Sequence, residues 1–255
     1  MILRRVIAHF RKQEWTAIGL DFLIVVVGVL FAFQVTAWNT AQEERNRADA
    51  ALAALLSESR ESVDYLEMLI ARVDETIDAQ KASIEALIAG ELPEGMTHQE
   101  FVVGVTLTRI FIPPNPPRST YDSLLANGDI NLIDDPTVMR QLARYYSRVA
   151  ATQEYASRLA ASNSGDYHPA IISYYDPSAP DYRRQDADFA TLAADPQFLE
   201  DSVDVLRSVS AVQESRRGLL DTARETYASL CLAARSDCAD GKDAPQTNIN
   251  QSVQP

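Results

Sequence analysis

Few side chains in this sequence could do chemistry, and they are widely separated. His9, His98 and His168 stand alone, without the short spacing that metal-binding histidines show. The sequence has no glycine-rich phosphate loop, nucleophile elbow or HExxH pattern. We therefore expect a protein that is not an enzyme and that uses neither a metal nor another cofactor.

Two adjacent carboxylates, Asp134 and Asp135, are the best candidates for acid–base chemistry or for binding a metal. Pro136 follows them directly. An aspartate before a proline commonly starts a helix, because the carboxylate accepts hydrogen bonds from the first free N–H groups and proline has no N–H to satisfy. We interpret the pair as a helix cap.

Cys231 and Cys238 are the only cysteines. They do not form a CxxC redox pair, and an even number of cysteines in an exported domain predicts a disulfide, within one chain or between two. On one continuous helix their Cα atoms would lie about 10.5 Å apart, too far for the bond. A bridge within the chain therefore predicts that the last helix ends near Ser236.

The stretch from Trp15 to Trp38 is the element around which the rest of the chain is organised. Every residue from Phe22 to Phe33 is apolar or glycine. A helix of this length measures about 36 Å, enough for a hydrocarbon core of about 30 Å. We predict a transmembrane helix with Trp15 and Trp38 as its interface anchors.

Two other interpretations of this stretch are weaker. A buried helix of a soluble protein would not combine an uninterrupted apolar run with a basic stretch before it. A signal peptide cleaved after Val35-Thr36-Ala37 has the required small residues, but the apolar run is long for one and no helix break follows it.

The charges that flank the span predict its orientation. Arg4, Arg5, Arg11 and Lys12 precede it, whereas the comparable window after it holds only two arginines. Basic residues near a span stay in the cytoplasm, so we expect a bacterial inner-membrane protein with a cytoplasmic N-terminus and a periplasmic bulk.

Net charge is divided in the same way. The chain carries −13, and residues 1–14, with four basic residues and one acidic residue, contribute +3, which leaves −16 for the rest. An acidic outer domain is a poor ligand for nucleic acid or anionic lipid. The acidic residues are expected to keep a helical domain soluble.

One face of the predicted span is small and polar. Gly28 and Ala32 have the small-xxx-small spacing that lets two helices approach closely. With the lipid bilayer around it, this face is expected to associate helices in a homo-oligomer or with another membrane protein. A carboxylate in a bilayer costs at least about 2.5 kcal/mol at mid-depth, so Asp21 suggests an alternative: an accessory subunit of an ion-coupled energy transducer. The predicted association face consists of Ala17, Asp21, Gly28 and Ala32.

No helix breaker lies between Trp38 and Gly90, so the span is predicted to continue outward as one helix of about 75 residues. Charged residues such as Glu58 are predicted to face solvent. An alternating four-three spacing, typical of a heptad seam, predicts packing against later helices of the chain or against another copy. The heptad seam comprises Leu52, Leu56, Ser59, Val63, Leu66, Ile70, Val73, Ile77, Gln80, Ile84 and Leu87.

Residues 90–95, with two glycines and a proline, predict a turn. Thr97 and Glu100 then form a capping-box pattern, which favours a helix over residues 101–112, although the β-branched content of this run leaves a strand open. The proline-rich run 113–117 ends it, as a rigid connector or as a docking segment for an aromatic groove.

Two helices are predicted next. Ser119 or Thr120 is expected to cap a short helix through Ala126, with Gly128 as its left-handed stop. A longer helix is expected from Pro136 to about Ser162, with a buried face formed by Leu142, Tyr145, Tyr146, Val149 and Leu159.

Three of these features together resemble a family of uncharacterised single-pass bacterial membrane proteins. They are the IVVVGVLFAFQV span with Asp21 before it and Trp38-Asn39 after it, the TYDSLLANGDINLI segment, and the LARYY segment. The resemblance covers residues 15 to about 150. It departs from the family in small ways, since relatives often have glutamate at the Asp21 position and at that of Thr40. It implies the topology and a helical fold and leaves the activity open.

Residues 163–185 are predicted to be irregular, and seven of the ten tyrosines fall between residues 145 and 182. Tyrosines in such a loop form a partner surface or cover the end of a bundle. A last helical region is predicted from Asp186 to about Arg235, restarting at Asp195-Pro196. The candidate partner surface consists of Tyr167, Tyr174, Tyr175 and Tyr182.

The predicted fold class is all-α: one N-terminal transmembrane helix that continues into a long helix, with an antiparallel helical bundle outside the membrane. The expected divisions are a basic cytoplasmic tail (1–14), the span (15–38), a periplasmic helical domain (39–238) and a disordered tail (239–255). We expect a membrane-anchored interaction or sensor-adaptor protein. A structural periplasmic spacer is the alternative.

Overall fold

The computed structural model describes residues 15–106, 111–164, 167–178 and 183–235 of the 255-residue chain. Within these ranges the side chains of residues 15–19, 21 and 183 are not described. The predicted tails (1–14 and 239–255), Tyr182 and Cys238 therefore lie outside the described residues. The chain divides into two compact units, residues 1–51 and 52–255.

Helix α1, Trp15–Ala89, is a single helix of 75 residues. Gly90 ends it: this residue has φ +74°, and its N–H donates to Ala86 O at 3.0 Å. Only glycine adopts this left-handed conformation without steric cost, so the helix ends at the first glycine that follows Gly28. The prediction of one continuous helix of about 75 residues is confirmed.

In the first unit, the part of α1 from Phe22 to Trp38 exposes nearly all of its apolar side chains. Phe22 is 70% exposed and Trp38 is 66% exposed. The most apolar 18-residue window of Phe22–Ala89 has a mean hydropathy of 2.0, and none of it is buried in the protein. By length and composition, α1 therefore contains a candidate membrane span.

The second unit is built on three long helices: α1 from residue 52 onward, α4 (Pro136–Ser162) and α6 (Pro196–Ala234). Leu55 packs with Val138 and Leu230, and Leu69 packs with Ala156 and Val205. Helix α4 is thus parallel to α1, and α6 is antiparallel to both. Residues of the heptad seam such as Leu66 and Val73 pack against later helices of the same chain, which is one of the two predicted arrangements.

Shorter elements connect these helices. Helix α2, His98–Thr106, begins with the predicted capping box: Thr97 N–H donates to Glu100 Oε2 at 2.7 Å, and Glu100 N–H donates to Thr97 Oγ1 at 3.2 Å. The described part of the helix is His98–Thr106, and residues 111 and 112 are not helical, so the prediction of helix through residue 112 was too long.

Helix α3, Ser119–Asn127, is followed by a 3₁₀ helix, Asp129–Leu132. Gly128, with φ +77°, is the left-handed stop of α3 as predicted. The predicted cap at Ser119 or Thr120 was wrong, because the N-cap position is Arg118, whose side chain makes no capping hydrogen bond.

Two aspartate-proline pairs start the long helices as predicted. Asp135 accepts hydrogen bonds from Thr137 N–H and Val138 N–H at the start of α4. Asp195 does the same for the second and third residues of α6. The capping interpretation of Asp135 therefore holds, and α4 ends at Ser162, where the sequence predicted its end.

The stretch predicted to be irregular contains an antiparallel hairpin. Strand β1, Ile171–Tyr175, pairs with β2, Arg183–Ala187, with Ile171 opposite Ala187 and Tyr175 opposite Arg183. Helix α5, Phe189–Ala193, follows, capped by Asp188, so the predicted helix start at Asp186 was wrong. The hairpin shares a core with α2 through Ile171, Ala187, Leu87, Phe101, Val102, Val105, Leu192 and Phe198.

Candidate functional site

Glu58 is the centre of a polar junction between α1, α3 and α4. Its side chain was predicted to be solvated, and this was wrong: the residue is 4% exposed. Its carboxylate accepts hydrogen bonds from Thr120 N–H at 2.5 Å, from Tyr121 N–H at 3.1 Å and from Tyr146 Oη at 2.8 Å. Ser119 Oγ lies 3.4 Å from the same carboxylate. We call Glu58, residues 118–121 and Tyr146 the Glu58 junction.

The physical reason for this buried carboxylate is the start of α3. The first N–H groups of a helix have no partner within the helix, and the helix dipole places partial positive charge there. Arg118 supplies no cap. Glu58, which lies 62 positions before Thr120 in the sequence, takes that role. The carboxylate is therefore buried with its hydrogen-bonding capacity used, which compensates for its removal from water.

Aromatic contacts complete the Glu58 junction. The rings of Tyr121 and Tyr146 stack with centroids 3.8 Å apart, and the Arg118 guanidinium carbon lies 5.9 Å from the centre of the Tyr146 ring. Burial, followed by the hydrogen bond to Glu58, raises the pKa of Tyr146. Burial also raises the pKa of the neighbouring Tyr145 to about 12. Both hydroxyls consequently remain protonated at neutral pH.

An extended segment, residues 111–118, crosses the three long helices; we call it the strap. Its backbone is bound by side chains from each of them: Arg216 Nη2 donates to Ile112 O at 2.5 Å, and Gln153 Nε2 donates to Pro114 O at 2.7 Å. From α1, Tyr65 Oη accepts from Asn115 N–H at 3.0 Å. The connector interpretation of the proline run thus describes its place in the fold.

A buried polar layer lies behind the strap. Arg216 is 1% exposed, and its Nη1 donates to Gln213 Oε1 at 3.1 Å. Gln213 in turn donates to Ile70 O and to Asp74 Oδ1. Burial lowers the pKa of Arg216 to about 10, so the guanidinium is still charged at neutral pH. The charge is stabilised by hydrogen bonds to the strap and to α6.

Two histidine-carboxylate pairs fix the hairpin to the helices. His98 Nε2 of α2 lies 2.6 Å from Asp186 Oδ1 of β2, and His168 Nε2 lies 3.1 Å from Asp195 Oδ2. The hydrogen bond with His98 lowers the pKa of Asp186. The pKa of Asp195 is also lowered, mainly by the Phe198 N–H that it caps. These histidines are therefore structural contacts.

The tyrosines of the candidate partner surface lie in different places. Tyr174 and Tyr175 are on β1, and Tyr175 is 70% exposed. Because neighbouring side chains of a strand point to opposite faces, these two rings do not form one surface. Tyr167 is anchored, since its hydroxyl donates to Thr106 O at 3.1 Å. Tyr182 lies outside the described residues.

The residues of the candidate span are only partly described. The positions of Trp15, Ala17 and Asp21 fall on α1, but their side chains are not among those described. A β-carbon built on Gly28 would meet no atom within 4 Å, and Ala32 is exposed. In the first unit, the described part of the predicted association face is therefore open.

Cys231 lies near the end of α6 and is disulfide-bonded. The other cysteine of the chain, Cys238, is outside the described residues. Helix α6 ends at Ala234, and Arg235 follows with φ +50° in the left-handed region.

Metal chemistry finds no support in the part of the chain that the structure describes. There, no group of three or more histidine, cysteine, aspartate or glutamate side chains is arranged to hold an ion. The described histidines and the capping aspartates are engaged in the contacts given above. The histidine-carboxylate pairs and the capping aspartates start helices and hold neighbouring elements together.

Comparison with known proteins adds no relative: no family model, no curated protein and no solved structure matches the chain. The resemblance to a family of single-pass membrane proteins therefore stays a prediction. The structure does place two of the motifs that carried it in contact, because Tyr121 of TYDSLLANGDINLI stacks on Tyr146 of LARYY.

Sequence reasoning missed Glu58 and the strap contacts. Glu58 directly precedes Ser59 of the heptad seam. The buried side of α1 is wide enough to include this neighbouring position, which the seam alone assigned to solvent. The need for an acceptor from elsewhere follows only from the observed start of the helix after Arg118, because the sequence offers Ser119 and Thr120 as capping residues. The sequence does not show which of many carboxylates provides it.

Proposed function

We propose that this chain is a single-pass protein of a bacterial inner membrane, with its N-terminus in the cytoplasm and its helical domain in the periplasm. It binds an envelope or membrane partner and has no catalytic activity of its own. One observation carries the proposal: α1 is a single helix whose residues 22–38 expose apolar side chains, while its later part is packed into a helical domain.

Adaptor function follows from the same helix. A helix without a breaker can pass a displacement along its axis, whereas a flexible linker would absorb it. No glycine or proline interrupts α1 between Gly28 and Gly90. The proposed role is therefore to relay the binding of a periplasmic partner to a second protein in the membrane.

The hairpin is the proposed contact for the periplasmic partner. Ile172 and Tyr174 share one face of β1 and are 54% and 45% exposed, and Tyr175, on the other face, is 70% exposed. Exposed tyrosines supply large contact areas at low entropic cost. The hairpin is also held by the two histidine-carboxylate pairs, so its surface is presented in a fixed position.

Reporter fusions test the topology. Alkaline phosphatase joined to the C-terminus should be active, because the enzyme requires export, while green fluorescent protein at the same place should not fluoresce. Neutral substitutions at Arg4, Arg5, Arg11 and Lys12 should reduce the phosphatase activity, since basic residues set the orientation. A fluorescent C-terminal fusion in the unchanged protein would refute the proposed topology.

Affinity purification from detergent-solubilised membranes tests partner binding. Proteins that co-purify with the unchanged chain should be lost with Tyr174→Ala/Tyr175→Ala and retained with Met68→Ala, which alters an exposed apolar residue of α1. If function in the cell tolerates the tyrosine variant and depends only on the length of α1, the chain is a spacer instead.

Crosslinking tests the proposed helix association. Single cysteines are placed along the span in a background without Cys231 and Cys238. Crosslinks between copies should be strongest at Gly28 and Ala32 and weak at Val26 and Leu30, which project to the opposite side of the helix. Equal yields at all four positions argue against a specific face.

A further inference from the structure

Helix α3 differs from the other helices that are described in how it is held. It has nine residues, and none of them is buried. Isolated helices shorter than about 12–15 residues are marginal in water, so α3 depends on contacts with the rest of the protein. Its apolar contribution is limited to partly buried side chains such as Tyr121 and Leu124.

The start of α3 is held by another helix. The Arg118 side chain, at the N-cap position, makes no capping hydrogen bond; its Nε and Nη2 instead donate to the Asp122 carboxylate of α3, each at 2.8 Å. Glu58 of α1 binds the N–H groups of Thr120 and Tyr121, at 2.5 Å and 3.1 Å. One carboxylate on α1 therefore does the work that a capping residue normally does within the same segment.

This arrangement is sensitive to the position of α1. A translation of α1 along its axis by the rise of one residue shifts Glu58 by about 1.5 Å. A rotation of α1 about its axis by one residue position turns the Glu58 side chain by about 100°. Hydrogen bonds of N–H to oxygen weaken beyond about 3.2 Å. Either displacement would remove both contacts to α3 at once.

We infer that α3 is a conditional helix, which is folded only while Glu58 of α1 occupies its amino terminus. Helix α3 then opens separately from the three long helices. Its state reports the register of α1, the helix that also carries the candidate span. The inference goes beyond the proposed function, because it holds whether or not a partner binds.

The strap contacts agree with this inference. Along α1, the residues Glu58, Ser62 and Tyr65 bind successive parts of the returning chain. Ser62 Oγ donates to Pro117 O at 3.4 Å, and Tyr65 binds Asn115. One face of α1 thus holds the strap and α3 by polar contacts, and polar contacts have strict distance requirements.

Hydrogen exchange of the detergent-solubilised full chain, measured by mass spectrometry, tests the inference. In Glu58→Gln, amides of residues 119–127 should exchange roughly tenfold faster than in wild type, since a neutral amide is a weaker cap and leaves one oxygen as acceptor. Amides of residues 66–87 and 205–230 should be unchanged. Glu61→Gln, an exposed change one turn away on α1, is the matched control and should leave α3 unaffected.

A second variant separates capping from general support of the fold. Arg118→Ser places a capping residue at the N-cap position of α3 itself. In the double variant Arg118→Ser/Glu58→Gln, exchange in α3 should return toward the wild-type rate. Arg118→Ser alone is the reference for the double variant, because both lack the Arg118–Asp122 ion pair. If Glu58 acted only by packing in the junction, Glu58→Gln would accelerate exchange as much in the Arg118→Ser background as in wild type.

Wild-type protein provides a test that needs no variant. At rising denaturant concentration, α3 amides should open before the amides of the three long helices. The inference is overturned if α3 opens only with global unfolding, if Glu58→Gln leaves α3 exchange unchanged, or if it accelerates exchange equally in all helices.

Discussion

Tyr65 Oη accepts a hydrogen bond from Asn115 N–H at 3.0 Å, and this is the only N–H group that the run Pro113–Pro117 possesses. Proline has no backbone N–H, so four of the five residues present no donor to satisfy. The carbonyl groups of Ile112, Pro114 and Pro117 accept from Arg216, Gln153 and Ser62. The composition of the strap is thus matched to the acceptors and donors that the three helices offer.

Removal of the Tyr65 hydroxyl should weaken the strap. Tyr65→Phe keeps the ring and deletes the acceptor of Asn115 N–H, which should lower the free energy of unfolding by about 1 kcal/mol. Chemical denaturation of the solubilised chain measures this. Tyr155→Phe, in a partly buried tyrosine of α4, is the control. A Tyr65→Phe variant as stable as wild type would show that water replaces the hydroxyl at no loss.

Gly104 allows α2 to approach α1. A β-carbon at this position would stand 2.5 Å from Ala79 O and still closer to Ser83 Oγ. Gly104→Ala should therefore destabilise the protein by about 1–3 kcal/mol, through displacement of α2. Thermal unfolding followed by circular dichroism checks this, with Gly28→Ala as the control because no atom lies within 4 Å of its added carbon.

A compensating change identifies the clash. Ser83→Gly removes the side chain nearest to the added methyl group, while the Ala79 carbonyl remains. Gly104→Ala should therefore lower the stability of the Ser83→Gly variant by less than it lowers the stability of the wild type. Strict additivity of the two single effects would place the strain elsewhere.

Acid should weaken the attachment of the hairpin. The hydrogen bond with His98 lowers the pKa of Asp186 from 3.8, so the folded protein binds this proton less readily than the unfolded chain does. Its contribution to stability is present above the unfolded pKa and is lost as pH falls through the folded pKa. The Tm difference between wild type and Asp186→Asn should therefore close below pH 3.8. Asp221→Asn, at an exposed position of α6, is the control for the substitution itself.

Asp195 combines two contacts that substitution can separate. Asp195→Ala removes the cap of α6 and the contact with His168, which should lower the denaturation midpoint. Asp195→Ser restores an acceptor for the helix N–H groups but not the carboxylate that His168 faces. Denaturation midpoints should rank wild type above serine and serine above alanine. Equal midpoints for serine and alanine would contradict capping as the main contribution.

The long helices were predictable because their signals are local and repeated. Asp135-Pro136 and Asp195-Pro196 start helices by contacts within three residues, and Gly128 ends one by its own conformation. The four-three spacing of α1 likewise predicted its buried side. Its choice of partner was open in the sequence, because helices of the same chain and of another copy satisfy the same pattern.

Neither the Glu58 junction nor the hairpin could be predicted from the sequence, and the reason differs between them. Glu58 acts on residues about 60 positions later, and nothing in the local sequence distinguishes it from Glu61, which is exposed. Strand β2 has the sequence RRQDA, which lacks the β-branched and aromatic residues that favour strands. It is a strand because Ala187 and its partner Ile171 are buried beside α2.

The proline pattern of the strap also bears on self-association. An extended segment at the surface of a protein normally offers a row of N–H and C=O groups on which a strand of another molecule can assemble. Within the strap, the proline run 113–117 has one backbone N–H, that of Asn115, and it donates to Tyr65 Oη. The domain can therefore carry an extended segment across its surface without providing a template for β-sheet aggregation.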